Sequence, residues 1–184
     1  MEQTGIIEAL EDAMKHLQKE LRKELREQGH YLTGALHDSI EYRVYKRGST
    51  IAVAEMMSLD YGLILEVGVP ASRIPFSGTR RGGGASGRTS KYIQGLVTFF
   101  QKRGLGEREA FSAAFATANV QRREGMPTNG SFAFSANGRR TGFVSETLEN
   151  HLQIVGKILQ ERTGYLLTIN LPDVIRMESI TLQV

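Results

Sequence analysis

A glycine-rich run is the first candidate for a functional site in this 184-residue chain. Residues 82–89 match the spacing of a phosphate-binding loop, except that Arg88 stands where such a loop has a lysine. A phosphate loop needs a buried strand directly before it, whereas Pro75, Gly78 and two arginines precede this run. The planar arginine fork is also a poor replacement for a compact ammonium group. The run is therefore interpreted as a flexible loop, and nucleotide hydrolysis is disfavoured.

His37, Asp38 and Ser39 have the residue types of a nucleophilic relay, but they are consecutive in the sequence. Neighbours in a strand point to opposite faces, so a strand entry here would not align the three groups. The four histidines are interpreted as ordinary surface or rim residues. Because the chain has no cysteine, a disulfide, a cysteine zinc site and a thiol nucleophile are excluded. No catalytic residue, cofactor or metal ligand is predicted, and the chain is not expected to be an enzyme.

The charged residues are balanced in number but unevenly distributed. The chain has 23 lysines and arginines against 20 acidic residues, a net charge of +3 that does not by itself indicate a nucleic-acid partner. No acidic residue lies between Glu66 and Glu107, and that stretch contains Arg73, Arg80, Arg81, Arg88, Lys91, Lys102 and Arg103. Such a stretch could contact phosphates, although residues 78–91 lack aromatic side chains that would stack on bases. A basic nucleic-acid-binding module therefore remains an alternative.

Hydrophobic periodicity predicts the elements that position these residues in the first half of the chain. Apolar residues every three or four positions predict a long helix over residues 4–28, with Thr4 as its N-cap and Gly29 as its stop. Its apolar stripe is either a packing face for the protein's own core, which we favour, or a seam for self-association. Alternating residues predict a hairpin of strands over 39–45 and 50–56. A short helical turn is expected over 59–66.

The second half predicts three more helices, over residues 90–103, 107–124 and about 144–162, with Ser90 and Ser145 as N-caps. Long loops are expected at 70–89 and 125–142, with a short strand around Phe132 and Phe134, and strand-like runs follow at 165–171 and 176–184. This order predicts a single α+β domain over residues 1–184. In it, a long N-terminal helix and a C-terminal helix pack on a small antiparallel sheet. Residues 70–142 form a helical and loop insertion.

The beginning of the sequence lacks a basic region followed by an apolar segment, and no later apolar run approaches the roughly 20 residues that span a bilayer. We therefore expect no membrane partner. The protein is expected to stay in a cytoplasm-like compartment, or to be built into something assembled there.

Two segments carry a resemblance to a known family. Residues 32–40 read LTGALHDSI, with the pattern residues Leu32, Thr33, Gly34, Leu36, Ser39 and Ile40, and residues 61–68 read YGLILEVG, with Tyr61, Leu65, Glu66 and Gly68. In this order, between a long helix and the elements after a hairpin, they resemble the tail-completion or minor tail component family of long-tailed bacteriophages. The resemblance is at the level of motifs over residues 1–70 and of general layout beyond them.

The resemblance implies a structural virion protein, assembled in the host cytoplasm, that completes the tail and joins it to the neck without catalysis. It implies partners of three kinds: further copies in a closed ring, typically a hexamer, the tail tube, and neck or connector proteins. Arg73, Arg80, Arg81 and Arg88 would be docking residues or would face the channel, where they would meet phage DNA transiently. Glu66 is interpreted either as a partner in a salt bridge between subunits or as an ordinary surface residue.

Overall fold

The computed structural model describes residues 3–48, 51–78 and 89–163, with side chains from residue 5 onward. The chain divides into two compact units. We call residues 1–67 and 134–184 the sheet unit, and residues 68–133 the helical unit. In chain order the elements are α1 (Gln3–Glu27), α2 (Ala35–Ser39), β1 (Glu41–Arg47), β2 (Ile51–Met57), α3 (Tyr61–Val67), α4 (Lys91–Lys102), α5 (Glu107–Glu124) and α6 (Phe143–Thr163).

The sheet unit confirms the predicted α+β class. β1 and β2 form an antiparallel hairpin in which Glu41 lies opposite Met57 and Arg47 opposite Ile51. The long helices α1 and α6 pack on each other and on this sheet. Two clusters form the core: Ala9, Ala13, Met14, Leu17, Val155 and Leu159 in one, and Leu21, Leu25, Leu36, Ile40 and Phe143 in the other. The apolar stripe of α1 is therefore a packing face for the protein's own core, as favoured above.

The C-terminus of α1 is closed by its own backbone and by the segment before α6. Gly29 has a φ of 73°, which glycine adopts without strain, and this lets the His30 N–H donate to the Leu25 carbonyl at 2.8 Å. The Ala136 N–H donates to the Glu27 carbonyl at 2.7 Å, and Arg140 donates to the Gln28 carbonyl at 2.6 Å. Cationic and N–H donors at this negative helix end satisfy carbonyls that would otherwise lack partners.

The helical unit is built around a pair of helices in close contact. α4 presents Ile93 and Val97 to a seam of fully buried alanines on α5, formed by Ala110, Ala114 and Ala118. Ser90 caps α4 as predicted, since its hydroxyl accepts a hydrogen bond from the Ile93 N–H at 3.3 Å. A 3-10 turn over Ala71–Arg73 precedes α4, and a short antiparallel bridge joins Val69, before this turn, to Met126, after α5.

Several predicted details are wrong. α1 begins at Gln3, so Thr4 lies inside the helix and is not its N-cap. The segment around Phe132 and Phe134 is a 3-10 helix, Asn129–Phe134, and not a strand, because the Ser131 N–H bonds back to Thr128. Ser145 lies inside α6, which begins at Phe143.

Some predictions fall on residues outside the described ranges. These are most of the glycine-rich run, with Arg80, Arg81 and Arg88, the stop at Gly164 and the two closing strand-like runs. Among the described residues, no helix is both long and apolar enough to cross a membrane.

Candidate assembly surface

The two sequence motifs are in contact in the sheet unit. Leu36 and Ile40 of the first motif are buried, with 3 % and 1 % of their surfaces exposed, and Leu65 of the second motif packs against the same cluster. Gly62 of the second motif is buried against the first motif. A Cβ at this position would lie 3.3 Å from Leu36 Cδ1. A single core cluster therefore holds both motifs, which gives a physical reason for their joint occurrence.

The first motif forms a turn followed by one turn of helix, and not the start of a strand. Gly34 has a φ of 78°, a conformation that strains any residue with a Cβ, and its carbonyl accepts from the Asp38 N–H at 2.8 Å. Thr33 Oγ1 accepts from the Ala35 N–H at 3.4 Å. The strand prediction for residues 39 and 40 was therefore wrong: Ser39 ends α2, and β1 begins at Glu41.

The hydroxyl of Ser39 joins this turn to the segment before α3. It donates to the Leu36 carbonyl at 2.8 Å and accepts from the Leu59 N–H at 3.1 Å. His37 Nδ1 lies 2.7 Å from Asp38 Oδ1, and its ring packs edge-on against Tyr31. Ser39 therefore positions backbone, and it makes no hydrogen bond to the His37–Asp38 pair.

Glu66 caps helix α6. Its carboxylate accepts hydrogen bonds from the Val144 N–H at 2.7 Å, the Ser145 N–H at 3.1 Å and the Ser145 hydroxyl at 2.5 Å. Its own carbonyl accepts from the Gly142 N–H at 2.9 Å. A carboxylate at the positive end of a helix satisfies unpaired N–H groups and interacts favourably with the macrodipole. Glu66 is half-buried and its carboxylate caps α6, so it is not an ordinary exposed surface residue, and the salt bridge between subunits stays a prediction.

These contacts hold α3 with four of its large apolar side chains 36–42 % exposed. The exposed apolar residues of this segment, which we call the α3 face, are Met57, Leu59, Tyr61, Leu63, Ile64 and Val67. Single exposed apolar residues are normal on a protein surface, whereas six within eleven positions make this segment a candidate interaction site. Hydrogen bonds of Glu66 and Ser39, together with the close packing of Gly62, hold the segment that carries the α3 face.

The remaining motif residues have different environments. Tyr61 belongs to the α3 face, and Leu32 is exposed on the turn before α2. Gly68, with a φ of 77°, lies in the helical unit against the Met126 carbonyl, where a Cβ would come within 2.6 Å. Arg73 is exposed at the end of the 3-10 turn. Gly68 is therefore a structural position of the motif, whereas Tyr61 and Leu32 are exposed.

The sequence analysis missed a histidine pair between the two long helices. His16 Nε2 lies 3.1 Å from His151 Nδ1, and His151 Nε2 lies 3.6 Å from a carboxylate oxygen of Glu20. Glu20 follows His16 by four residues on α1, a spacing that places both side chains on one helix face and could have drawn attention to them. Within the described ranges, no group of three or more histidine, aspartate or glutamate residues is arranged to hold a metal ion.

Comparisons of the chain with protein-family models, curated proteins and solved structures found no match.

Proposed function

We propose that this chain is a structural subunit of a tailed-bacteriophage virion, which forms a ring that completes the tail and joins it to the neck. The α3 face is the observation that carries the proposal, because it places six exposed apolar residues on one short segment that three sets of contacts hold. A ring subunit needs such a face, since each copy must bury surface against its neighbour. The resemblance of both motifs to the tail-completion family supports the same role.

The motifs support this role because some of their residues hold the segment in place while others are exposed on its surface. Gly34, Leu36, Ile40 and Glu66 build the support, and exposed residues just before and within the second motif form the α3 face. A sequence pattern of this kind specifies a presented surface and not a pocket. The role therefore requires partners, and the proposed ones are further copies, the tail tube and neck or connector proteins.

The experiment is light scattering across a concentration series, on the protein alone and with isolated tail tubes or head connectors. We expect an oligomer that grows with concentration, or a ring that forms on the tube. The change of Ile64, which is 38 % exposed, to serine should weaken association at least tenfold. Ile154→Ser on α6 is the matched control, because Ile154 is 41 % exposed but lies outside the α3 face. A protein that stays monomeric at every concentration and ignores tubes and connectors would refute the proposal.

A second candidate, a basic nucleic-acid-binding module, is favoured by the charge of the helical unit. Residues 68–133 hold ten lysines and arginines against three acidic residues. Such a unit attracts polyanions, and binding to phosphates would weaken steeply as salt increases. A tight, salt-sensitive complex with double-stranded DNA, formed by a protein that does not self-associate, would favour this candidate over the ring.

A further inference from the structure

A pair of histidines joins the two long helices of the sheet unit. His16 lies on α1 and His151 on α6, and His16 Nε2 lies 3.1 Å from His151 Nδ1. Their rings are inclined by 61°. Both residues are half-buried, and 24 % of the His151 side chain is exposed. Two imidazole nitrogens from different helices therefore meet at a place that solvent reaches.

The distance between these nitrogens suits two ligands of a single metal ion. Zinc–nitrogen bonds are about 2.0–2.1 Å long, so two nitrogens of a tetrahedral zinc site lie about 3.3 Å apart. The observed 3.1 Å is close to that value, and small rotations of the side chains would place both nitrogens on one ion. Without a metal, the two rings share one hydrogen bond, in which one ring donates and the other accepts.

The carboxylate of Glu20 faces the other nitrogen of His151. Glu20 Oε2 lies 3.6 Å from His151 Nε2, and only 12 % of the Glu20 side chain is exposed. Metal-bound histidines usually direct their second ring N–H to a carboxylate, which fixes the tautomer and the direction of the ring. With its proton on Nε2, beside Glu20, the His151 ring leaves Nδ1 bare for a metal. Glu20 is therefore a positioning residue in this arrangement and not a ligand.

We propose that His16 Nε2 and His151 Nδ1 bind one divalent transition-metal cation, while Glu20 orients His151. The class of cation follows from the ligands, since imidazole suits Zn²⁺ and Cu²⁺, whereas Mg²⁺ and Ca²⁺ prefer oxygen. In the described part of the chain, no third histidine, aspartate or glutamate is arranged to complete the site. Water fills the remaining positions, which the exposure of His151 allows. The inference goes beyond the proposed function and does not rest on it.

The bound ion links α1 to α6 in the folded protein alone. The two histidines are 135 residues apart in the sequence, so they come together only when the helices pack on each other. A ligand that binds the folded state and not the unfolded chain stabilises the folded state, increasingly so as its concentration rises. Zn²⁺ should therefore raise the urea concentration at which α1 and α6 unfold.

Calorimetric titration of the untagged, chelator-treated protein with Zn²⁺ tests the site. We expect one ion per chain, bound at least tenfold more weakly by His16→Gln and by His151→Gln. Glu20→Gln removes the charge but keeps the shape of the side chain, and it should weaken binding about tenfold. His30→Gln is the matched control, because His30 lies in the same unit and bonds to the Arg140 carbonyl instead. It should bind Zn²⁺ like the unchanged protein.

Spectroscopy separates the two ligands from the positioning residue. With one equivalent of Cu²⁺, electron paramagnetic resonance should show two nitrogen ligands in the unchanged protein and in Glu20→Gln, and fewer in either His16→Gln or His151→Gln. In nuclear magnetic resonance, Zn²⁺ should shift the ring protons of His16 and His151 and leave those of His30 and His37 in place. The resonance measurement uses the unchanged protein, so it decides the question even if a variant fails to fold.

The outcomes leave the proposed ring to its own test. If Zn²⁺ binds the histidine variants as tightly as the unchanged protein, or shifts all four histidines alike, the binding is adventitious and the site is overturned. If neither Zn²⁺ nor Cu²⁺ binds, the site is overturned as well. An unchanged zinc affinity in Glu20→Gln would overturn the positioning role of Glu20. Light scattering of the metal-free protein tests the ring independently of all these results.

Discussion

The sheet unit and the helical unit reach stability by different means. The sheet unit buries large side chains, including Leu21, Leu25, Ile40 and Phe143, between two long helices and a hairpin. The helical unit brings two helices together over alanines, and it carries a net charge that opposes its own compaction. The stability of the sheet unit therefore depends on large side chains that fill its core, whereas that of the helical unit depends on the close approach of α4 and α5. Truncation should damage the first, and enlargement should damage the second.

Leu25→Ala should have the largest effect. Leu25 of α1 is fully buried in the cluster that contains Phe143, so its truncation leaves a cavity and costs about 2–5 kcal/mol of unfolding free energy. Urea unfolding, monitored by circular dichroism, measures the loss. Ile6→Ala, at an exposed position on the same helix, should change stability by less than about 0.5 kcal/mol. Equal losses in the two variants would mean that the core of the sheet unit does not depend on filled volume.

Ala114→Leu should have the next largest effect, in the helical unit. Ala114 is fully buried in the seam against α4, so a larger side chain must push the helices apart, at a cost of about 1–3 kcal/mol. Ala116→Leu is the matched control, because Ala116 is exposed on the same helix. Hydrogen exchange should show reduced protection in α4 and α5 while α1 and α6 keep theirs. Protection lost equally across all four helices would show that the units unfold together.

The sequence predicts the elements well where periodicity and capping agree. α1, the hairpin, α4 and α5 follow from apolar spacing, with Gly29 and Ser90 marking ends. The errors lie where a distant partner decides. Ser145 is a residue type that often caps helices, but Glu66, far away in the sequence, caps α6 instead. The helix therefore begins at Phe143, before Ser145. A tertiary hydrogen bond of this kind leaves no periodic signal in the sequence.

The candidate surface was only partly predictable for the same reason. The motif residues were identified, but the sequence could not separate buried Leu36 from exposed Leu32, because both are leucines in one turn. It also could not show that His151 lies beside His16, since that contact depends on how α6 packs on α1. Local patterns therefore specify the elements, and packing determines which side chains remain free to bind.

Glu66→Ala should have a smaller effect than either core change. The variant removes the acceptor of two backbone N–H groups at the start of α6, and loss of an N-terminal cap costs about 0.5–2 kcal/mol. The control is Glu149→Ala, which changes an exposed carboxylate on α6 and should alter stability little. Urea unfolding compares the two variants. The comparison also tests the α3 face, because Glu66 holds its support. If Glu66→Ala left both stability and association unchanged, the support would not depend on this cap.

The smallest effect concerns His30 in the sheet unit. Burial, and then the nearby Arg140 cation, lower the pKa of His30 from its ordinary value of 6.5, although its bond to the Arg140 carbonyl opposes this. The folded protein therefore binds a proton at His30 less readily than the unfolded chain does. Its contribution to stability is full above pH 6.5 and is lost as the pH falls below that value.

Urea unfolding of the unchanged protein and of His30→Gln, at pH 7.5 and at more acid values, should show a steeper loss of stability for the unchanged protein. Since the helical unit contains no histidine, exchange protection in α4 and α5 should not share this dependence. Identical slopes for the two proteins would show that His30 titrates alike in the folded and unfolded states.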